Sequence, residues 1–328
     1  IMFRVDAHFD LLCFVYEKRA QGETRVIEKY FYEDWKKNNF NIIVSSIFID
    51  SIFIPEMALR NALDQISCLY EEIAETPEKI MLCKNYIDIE KAEKENKIGI
   101  LMSLEGSEPI GNDLFLLRTF YELGVRFIGL AWNRRTYCTD GIPVCKDVRK
   151  QYGLTDLGID VLAKAKELGM IVDVSHLTDQ GFEDVMTFYD MPVIASHSNC
   201  RSLTGHLRNL TDEQMKKIAQ RGGVVGINSF SLFLNTEPLK ACISDMAEHM
   251  NHMRNIMGTD HIGLGFDFCS HIRSSLYKSE EKDKFDAMNG YNEFFILDRE
   301  LSKKGFSQDE REKIYSKNFL RLYNQILK

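Results

Sequence analysis

Val5-Asp6-Ala7-His8-Phe9-Asp10-Leu11-Leu12 stands near the start of the chain and sets a His-x-Asp pair among apolar and small residues. If residues 3–7 form a β-strand, alternation puts His8 and Asp10 on one side, within reach of a single metal ion. Barrel hydrolases commonly open a metal site in this way, at the end of a first strand. Taken alone the pair reads equally well as a capped turn, so its meaning depends on further ligands elsewhere.

Outward from this stretch, short apolar runs alternate with amphipathic ones along the whole chain. Strands are expected at 3–8, 41–49, 98–104, 125–132, 170–176, 192–197, 223–228 and 261–268. Most are rich in Val, Ile and Leu without strict polar alternation, as expected for parallel strands covered by helices. Helices are expected over 55–75, 114–123, 155–168, 178–188, 211–221 and 238–257. Thr211-Asp212-Glu213-Gln214 has the form of a capping box. Gly124, Gly169 and Gly222 stand where helices end before strands. Eight strands alternating with helices predict a (β/α)8 TIM barrel of the metal-dependent hydrolase type. No linker divides the chain, so a single domain over 1–328 is expected, with extra C-terminal helices after residue 284.

Hydrophobic residues at 45% and charged ones at 27% suit a globular protein with a large core. The net charge is −8, and no basic patch stands out, which argues against nucleic acid as a partner. Eight scattered cysteines with no Cys-x-x-Cys argue against a disulfide framework and a Cys-ligated zinc, and fit a reducing cytoplasm. No apolar run approaches the ~18 residues of a membrane span. The first strand begins too early to leave room for a signal peptide, so a cytoplasmic protein without membrane contact is expected.

Barrel enzymes carry their chemistry at the C-terminal ends of the strands. Those ends hold His8 and Asp10, Glu105, His176, His197 and Asp267, all metal ligands or proton-transfer groups. A lone histidine there is most often structural, but a whole set at one rim points to metal. In Gly263-Leu264-Gly265-Phe266-Asp267 the period of two puts both glycines and the acid on one face, leaving the carboxylate room. His, Asp and Glu without thiolate suggest zinc first, with manganese or cobalt also compatible. Two ions account for the number of donors better than one. A bridging Glu105 would leave each ion three protein contacts and a position for a shared hydroxide.

Several blocks in order resemble the membrane (renal) dipeptidase family. They are Asp6-Ala7-His8-Phe9-Asp10, Ser103-Leu104-Glu105-Gly106, Leu123-Gly124-Val125-Arg126 and Gly153-Leu154-Thr155-Asp156-Leu157-Gly158. Val172-Asp173-Val174-Ser175-His176, Ser196-His197-Ser198, His206-Leu207-Arg208-Asn209-Leu210 and Gly265-Phe266-Asp267-Phe268 continue the series. The resemblance covers nearly the full chain and implies a zinc-dependent dipeptidase on an amidohydrolase-type barrel. It implies that His8 and Asp10 hold one zinc, that His176 and His197 hold the other, and that Glu105 bridges. Asp267 would take the proton of the attacking water and pass it to the leaving amine. Arg208 would grip the C-terminal carboxylate of the substrate, which favours dipeptides over proteins.

Two positions depart from the family pattern. Trp132, followed by Asn133, stands where the mammalian members have a histidine that helps hold the scissile carbonyl oxygen. Trp132 is read as that donor or as pocket wall, and Asn133 as the alternative donor. Phe268-Cys269-Ser270 replaces a common second Asp and Gly, with Cys269 read as a neighbour rather than a ligand. The resemblance raises L-Xaa-D-Ala as a substrate, a pocket shaped by loop 133–152, and a homodimer. The alternatives are another binuclear amidohydrolase acting on a cyclic amide, lactam or ester, and a non-catalytic metal- or peptide-binding descendant. Intact Glu105 and Asp267 speak against the latter.

Overall fold

The computed structural model describes residues 3–142, 151–270 and 286–328. Its strands are β1 Arg4–Phe9, β2 Phe40–Ile47, β3 Ile80–Leu82, β4 Ile98–Glu105, β5 Val125–Gly129, β6 Ile171–Asp173, β7 Ile194–Ala195, β8 Val224–Ile227 and β9 Ile262–Leu264. All pairings are parallel, in the order β1-β2-β4-β5-β6-β7-β8-β9, which makes the expected eight-stranded, nearly closed barrel. The extra strand β3 was not expected. Its three residues pair with Ile98–Ile100 of β4, before β5 takes that edge from Met102 onward. A run this short carries no readable period.

Alternation along the strands builds two apolar layers. Val5, Ala7, Ile42, Val44, Leu101, Phe127, Ile171, Ile194 and Val224 face inward, against Phe319, Leu322, Tyr323 and Ile326 of the last helix, Asn318–Ile326. The C-terminal helix expected from the sequence thus packs inside the apolar half of the barrel. The opposite faces, with Ile43, Ile100, Met102, Leu104, Ile128, Val172 and Val225, pack under the surrounding helices. Toward the strand ends the inward positions turn polar, at Ser46, Glu105, Asp173 and Ser196, all buried. Thr211 and Gln214 form the expected capping box, and Gly169 is a left-handed helix end.

Gly263 and Gly265 serve neighbours other than the carboxylate. A Cβ on Gly263 would lie 2.1 Å from the Phe319 ring, and one on Gly265 would lie 1.7 Å from the Ser196 carbonyl oxygen. A Cβ on Gly226 would meet the same oxygen at 2.0 Å. These glycines admit a ring and a strand backbone into a narrow interior. Asp267 lies beyond β9 with φ 55°, so strand alternation does not set its direction.

Among the described residues no ladder joins β1 to β9; the seam is held by one backbone bond, the Asp267 N–H donating to the His8 carbonyl at 3.1 Å, and by the side chain of Asp6. Asp6 is fully buried; its Oδ1 accepts the Phe266 N–H at 3.1 Å and the His8 N–H at 3.3 Å. Its Oδ2 accepts the Tyr291 hydroxyl at 2.7 Å. Burial pushes the Asp6 carboxyl up to about 6, against the pull of Tyr291, Phe266 and His8. An acid raised in this way contributes stability fully below its ordinary value of 3.8 and loses it as pH rises through about 6.

Asp6→Ala leaves three donors without an acceptor and is expected to cost about 2–4 kcal/mol in urea unfolding. Asp6→Asn keeps a carbonyl for the two amides and should retain most of the stability while flattening its pH dependence across that window. Equal losses from both variants would contradict this account of closure.

Candidate active site

The barrel gathers the expected residues at the C-terminal ends of its strands. Between Asp6 and Phe9, β1 advances three residues against two of β2, since Asp6 pairs with Ile43 and Phe9 with Ser45. This bulge turns His8 to the inner face beside Ala7, where simple alternation would send it outward. Asp10 follows the strand and stands at the start of helix Leu11–Ala20, yet makes no side-chain cap bond there. It accepts a short hydrogen bond from Ser46 Oγ instead. The pair is therefore no capped turn. His176 and Asp267 both adopt left-handed backbone, with φ 68° and 55°. Such positions are costly for non-glycine residues and recur at functional sites.

Glu105 is the centre. Its Oε2 lies 3.5 Å from His8 Nε2, and its Oε1 lies 3.1 Å from His176 Nε2 and 3.7 Å from His197 Nε2. The two oxygens of one carboxylate thus face two half-sites. In one half, His8 Nε2 also stands 3.6 Å from Asp10 Oδ1 and 4.0 Å from Asp267 Oδ1. In the other, His176 Nε2 and His197 Nε2 approach to 2.8 Å. Donor atoms of His8, Asp10 and Asp267, and of Glu105, His176 and His197, form two groups with all members within 4.8 Å.

The donor chemistry fits metal ions. His8 Nε2 and Glu105 Oε2 are buried without hydrogen-bond partners. Asn133 Oδ1 lies 2.7 Å from His176 Nδ1, so that nitrogen carries the proton and Nε2 presents its lone pair. Burial, with Arg208 and His8 nearby, holds His176 well below the usual histidine range. Burial and the same two cations do the same to His197. Burial alone would lower His8, but Glu105, Asp10 and Asp267 hold it well above the usual range. Burial and Asp10 push Glu105 well up. Burial, with Asp10 adding to it, raises Asp267 to about 7 against His8, Arg208 and Asn228. Two neutral imidazoles and a crowd of carboxylates both invite cations.

Arg208 lies at the edge of the cluster, 4% exposed, with Nη2 3.3 Å from His176 Nε2 and donating to the His197 carbonyl at 3.1 Å. It has no salt-bridge partner among the described residues, and its Nε is buried without an acceptor. Trp132 stands with its ring 6.1 Å from that of His176 and packs edge-on against Phe48 at 5.0 Å. Asn133, expected near substrate, has its carbonyl oxygen engaged by His176. Cys269 Sγ donates to the Asp267 carbonyl at 3.3 Å and lies 3.9 Å from Oδ1. Residues 143–150 of the expected pocket loop lie outside the described residues. None of the seven described cysteines forms a disulfide; Cys145 lies outside the described residues.

Some contributors were not singled out from sequence. Asn228 Nδ2 donates to Asp267 Oδ2 at 3.0 Å, and Ser46 holds Asp10. The signal for Asn228 was its place at a strand end, where carboxamides had not been counted beside acids and histidines.

A barrel that gathers carboxylates and imidazoles at its strand ends has the layout of a metal-dependent barrel enzyme. The family model for membrane dipeptidase (Peptidase family M19) matches residues 2–328, and the chain belongs to that family. Dipeptidase tcpJ of Claviceps purpurea is 27% identical over 273 residues, which are 83% of this chain but only 61% of that protein. An uncharacterized protein in the pqqA 5' region of Klebsiella pneumoniae is 33% identical over 211 residues, 62% of this chain and 77% of that protein. A metallo peptidase from Rhodobacter sphaeroides, solved with a phosphinate mimic of the dipeptide L-Ala-D-Ala, superposes with TM-score 0.88 at 23% identity, covering 99% of both chains. Among the described residues no helix is long and apolar enough to cross a membrane.

His8 and Glu105 both hold protons more tightly than usual, so the metal-free cluster carries protons at pH 7 that a cation displaces. Zinc added to metal-free protein at pH 7 is expected to release about one or more protons per chain. Calorimetry in buffers of different ionisation enthalpy measures this, and binding without release would contradict the electrostatics of the cluster.

Proposed function

We propose that this protein is a metal-dependent dipeptidase that hydrolyses the peptide bond of free dipeptides, L-Xaa-D-Ala among them. The observation that carries this reading is the buried, unpaired guanidinium of Arg208 beside a buried carboxylate–imidazole cluster. His8 and Asp10 would hold one zinc ion, His176 and His197 a second, with Glu105 between them. Bound there, the ions would lower the pKa of a water toward ~7 and polarise the scissile carbonyl. Arg208 receives the substrate carboxylate, the one charge a C-terminal residue always brings. With Asn228 donating to Asp267 Oδ2, Oδ1 remains on the cluster side to take a proton and deliver it to the leaving amine. Trp132 and Asn133 stand at the His176 side, where they wall the substrate and hold that imidazole. The inclusion of L-Xaa-D-Ala draws support from the dipeptide mimic held by the Rhodobacter protein. A homodimer and a cytoplasmic location rest on the resemblance and the cysteine pattern alone.

The test is a panel of L-Leu-L-Ala, L-Leu-D-Ala, N-acetylated and C-amidated controls, and a tripeptide, on metal-free and zinc-loaded protein. Zinc-dependent cleavage confined to free dipeptides is expected. Zinc-loaded protein that cleaves none of them would sink the reading. Arg208→Ala should raise KM strongly for the free dipeptide and leave the weak binding of the C-amidated analogue, read as an inhibition constant, little changed; equal damage to both would remove Arg208 from carboxylate binding.

Asp267→Asn should lower kcat by roughly 10²–10⁴-fold while both ions stay bound. Near wild-type turnover in that variant would exclude Asp267 as the proton carrier.

A further inference from the structure

Ser196, the residue before His197, is not a metal-ligand type in such a site, yet its hydroxyl is the most connected one beneath the cluster. It donates a short hydrogen bond to Asp173 Oδ2. Asp173 Oδ1 in turn accepts the Ser175 N–H at 2.9 Å and the Ser196 N–H at 3.1 Å. With its only proton given to Asp173, Ser196 Oγ has two lone pairs left. Two ring nitrogens face it, His197 Nδ1 at 2.7 Å and His8 Nδ1 at 3.3 Å. Each must donate. Both rings therefore present a proton on Nδ1 to Ser196 and turn Nε2 toward Glu105, whether or not His8 carries a second proton there. The rings stack with centroids 3.7 Å apart, so they share this anchor from neighbouring positions.

The anchor cannot drift. Gly226 and Gly265 press their backbones against the Ser196 carbonyl so closely that any Cβ there would lie within about 2 Å of it. His8, Asp173 and His197 also bring donor atoms within 4.8 Å of one another. Ser196 Oγ, bonded to all three, takes the place an ion would have there. His8 belongs to the half-site with Asp10, and His197 to the half-site with His176. We infer that Ser196, held by Asp173, is a positioning residue that fixes the histidine tautomer in both metal half-sites at once and so couples their affinities. This rests on the two-ion reading above.

Ser196→Ala and Asp173→Asn, with Ser45→Ala as the control, separate the inference from that reading. Zinc titration against a chelating indicator should give wild type two affinities, and Ser196→Ala should weaken both by about 10–100-fold. Ser45→Ala, at an equally buried serine of β2 whose hydroxyl has no partner, should leave both unchanged. Asp173→Asn keeps an oxygen for the two amides but turns an N–H toward Ser196 Oγ. The hydroxyl proton then turns to the nearest acceptor, His197 Nδ1 at 2.7 Å rather than Ser175 Oγ at 3.5 Å, forcing that ring to Nε2–H. Histidine ¹⁵N shifts of the metal-free protein should show Nδ1–H for His197 and His8 in wild type, and the switch in Asp173→Asn. Unchanged zinc affinities in Ser196→Ala, weakening of one ion only, or unchanged tautomers in Asp173→Asn would overturn the inference. The tautomer measurement needs no metal, so it decides the matter even if wild type takes up no zinc, a result that would defeat the two-ion reading instead.

Discussion

A single carboxylate, Glu105, faces both halves of the cluster, and the upper part of the barrel is arranged around it. Burying such a group with an unpartnered oxygen costs several kcal/mol unless positive charge meets it. Among the described residues that charge comes from His8, at 3.5 Å, and more distantly from Arg208. The local backbone departures all serve this point. The β1 bulge brings His8 inward, the left-handed turn at His176 lifts its ring to 3.1 Å from Glu105, and the one at Asp267 aims a second acid at His8. Regular strands would scatter these groups over two faces of the sheet.

The same interior holds other acids, and they do structural work. Asp6 spans the gap between β1 and the end of β9. Asp173 takes two amides just where β6 and β7 stop pairing, after the single register position Asp173–Ile194. Asp286 accepts the N–H groups of Cys269 and Ser270 beyond β9, at 3.1 and 2.8 Å. Each carboxylate substitutes for ladder acceptors that the splayed strand ends have lost. The barrel thus trades regular pairing at its rim for side-chain acceptors, and this lets the ligand-bearing residues leave strand geometry without leaving backbone N–H groups unpaired.

This division explains what the sequence made legible. The eight barrel strands were readable because apolar runs of Val and Ile repeat between capped helices, and capping chemistry is local. Residues of ligand type stood out for the same reason: His8, Asp10, Glu105, His176, His197 and Asp267 each stand at or just past the end of an expected strand. The expected strands run on at 130–132, 174–176 and 265–268, because apolar residues such as Leu130, Val174 and Phe266 continue there while the backbone is already turning toward the site. The purpose of Gly263 and Gly265 was misread. Their neighbours, Phe319 and Ser196, are distant in sequence, and only closure of the barrel brings them near. Ser196, Asp173, Ser46 and Asn228 were invisible as site residues because a buried serine or carboxamide has no pattern of its own until its partners are known.

Arg208 poses the reverse problem, a buried cation with no anion against it among the described residues. Its loop is held from outside: Arg201 donates to the Asn209 carbonyl at 2.8 Å and pairs with Asp179 at 2.7 Å, and Asn209 donates to the carbonyls of Thr204 and Phe233. Burial lowers the Arg208 pKa, although Asp267, Glu105 and Asp173 pull it back up. The guanidinium is therefore kept in an unfavourable place by its scaffold. On the proposed reading, an incoming carboxylate relieves that cost directly, so part of its affinity is already stored in the empty protein. A ligand without a terminal carboxylate gains none of it, and would also bury its own polar end against an unsatisfied cation. Discrimination by chain end then needs no steric gate, because it follows from leaving one charge unpaired until the right partner arrives.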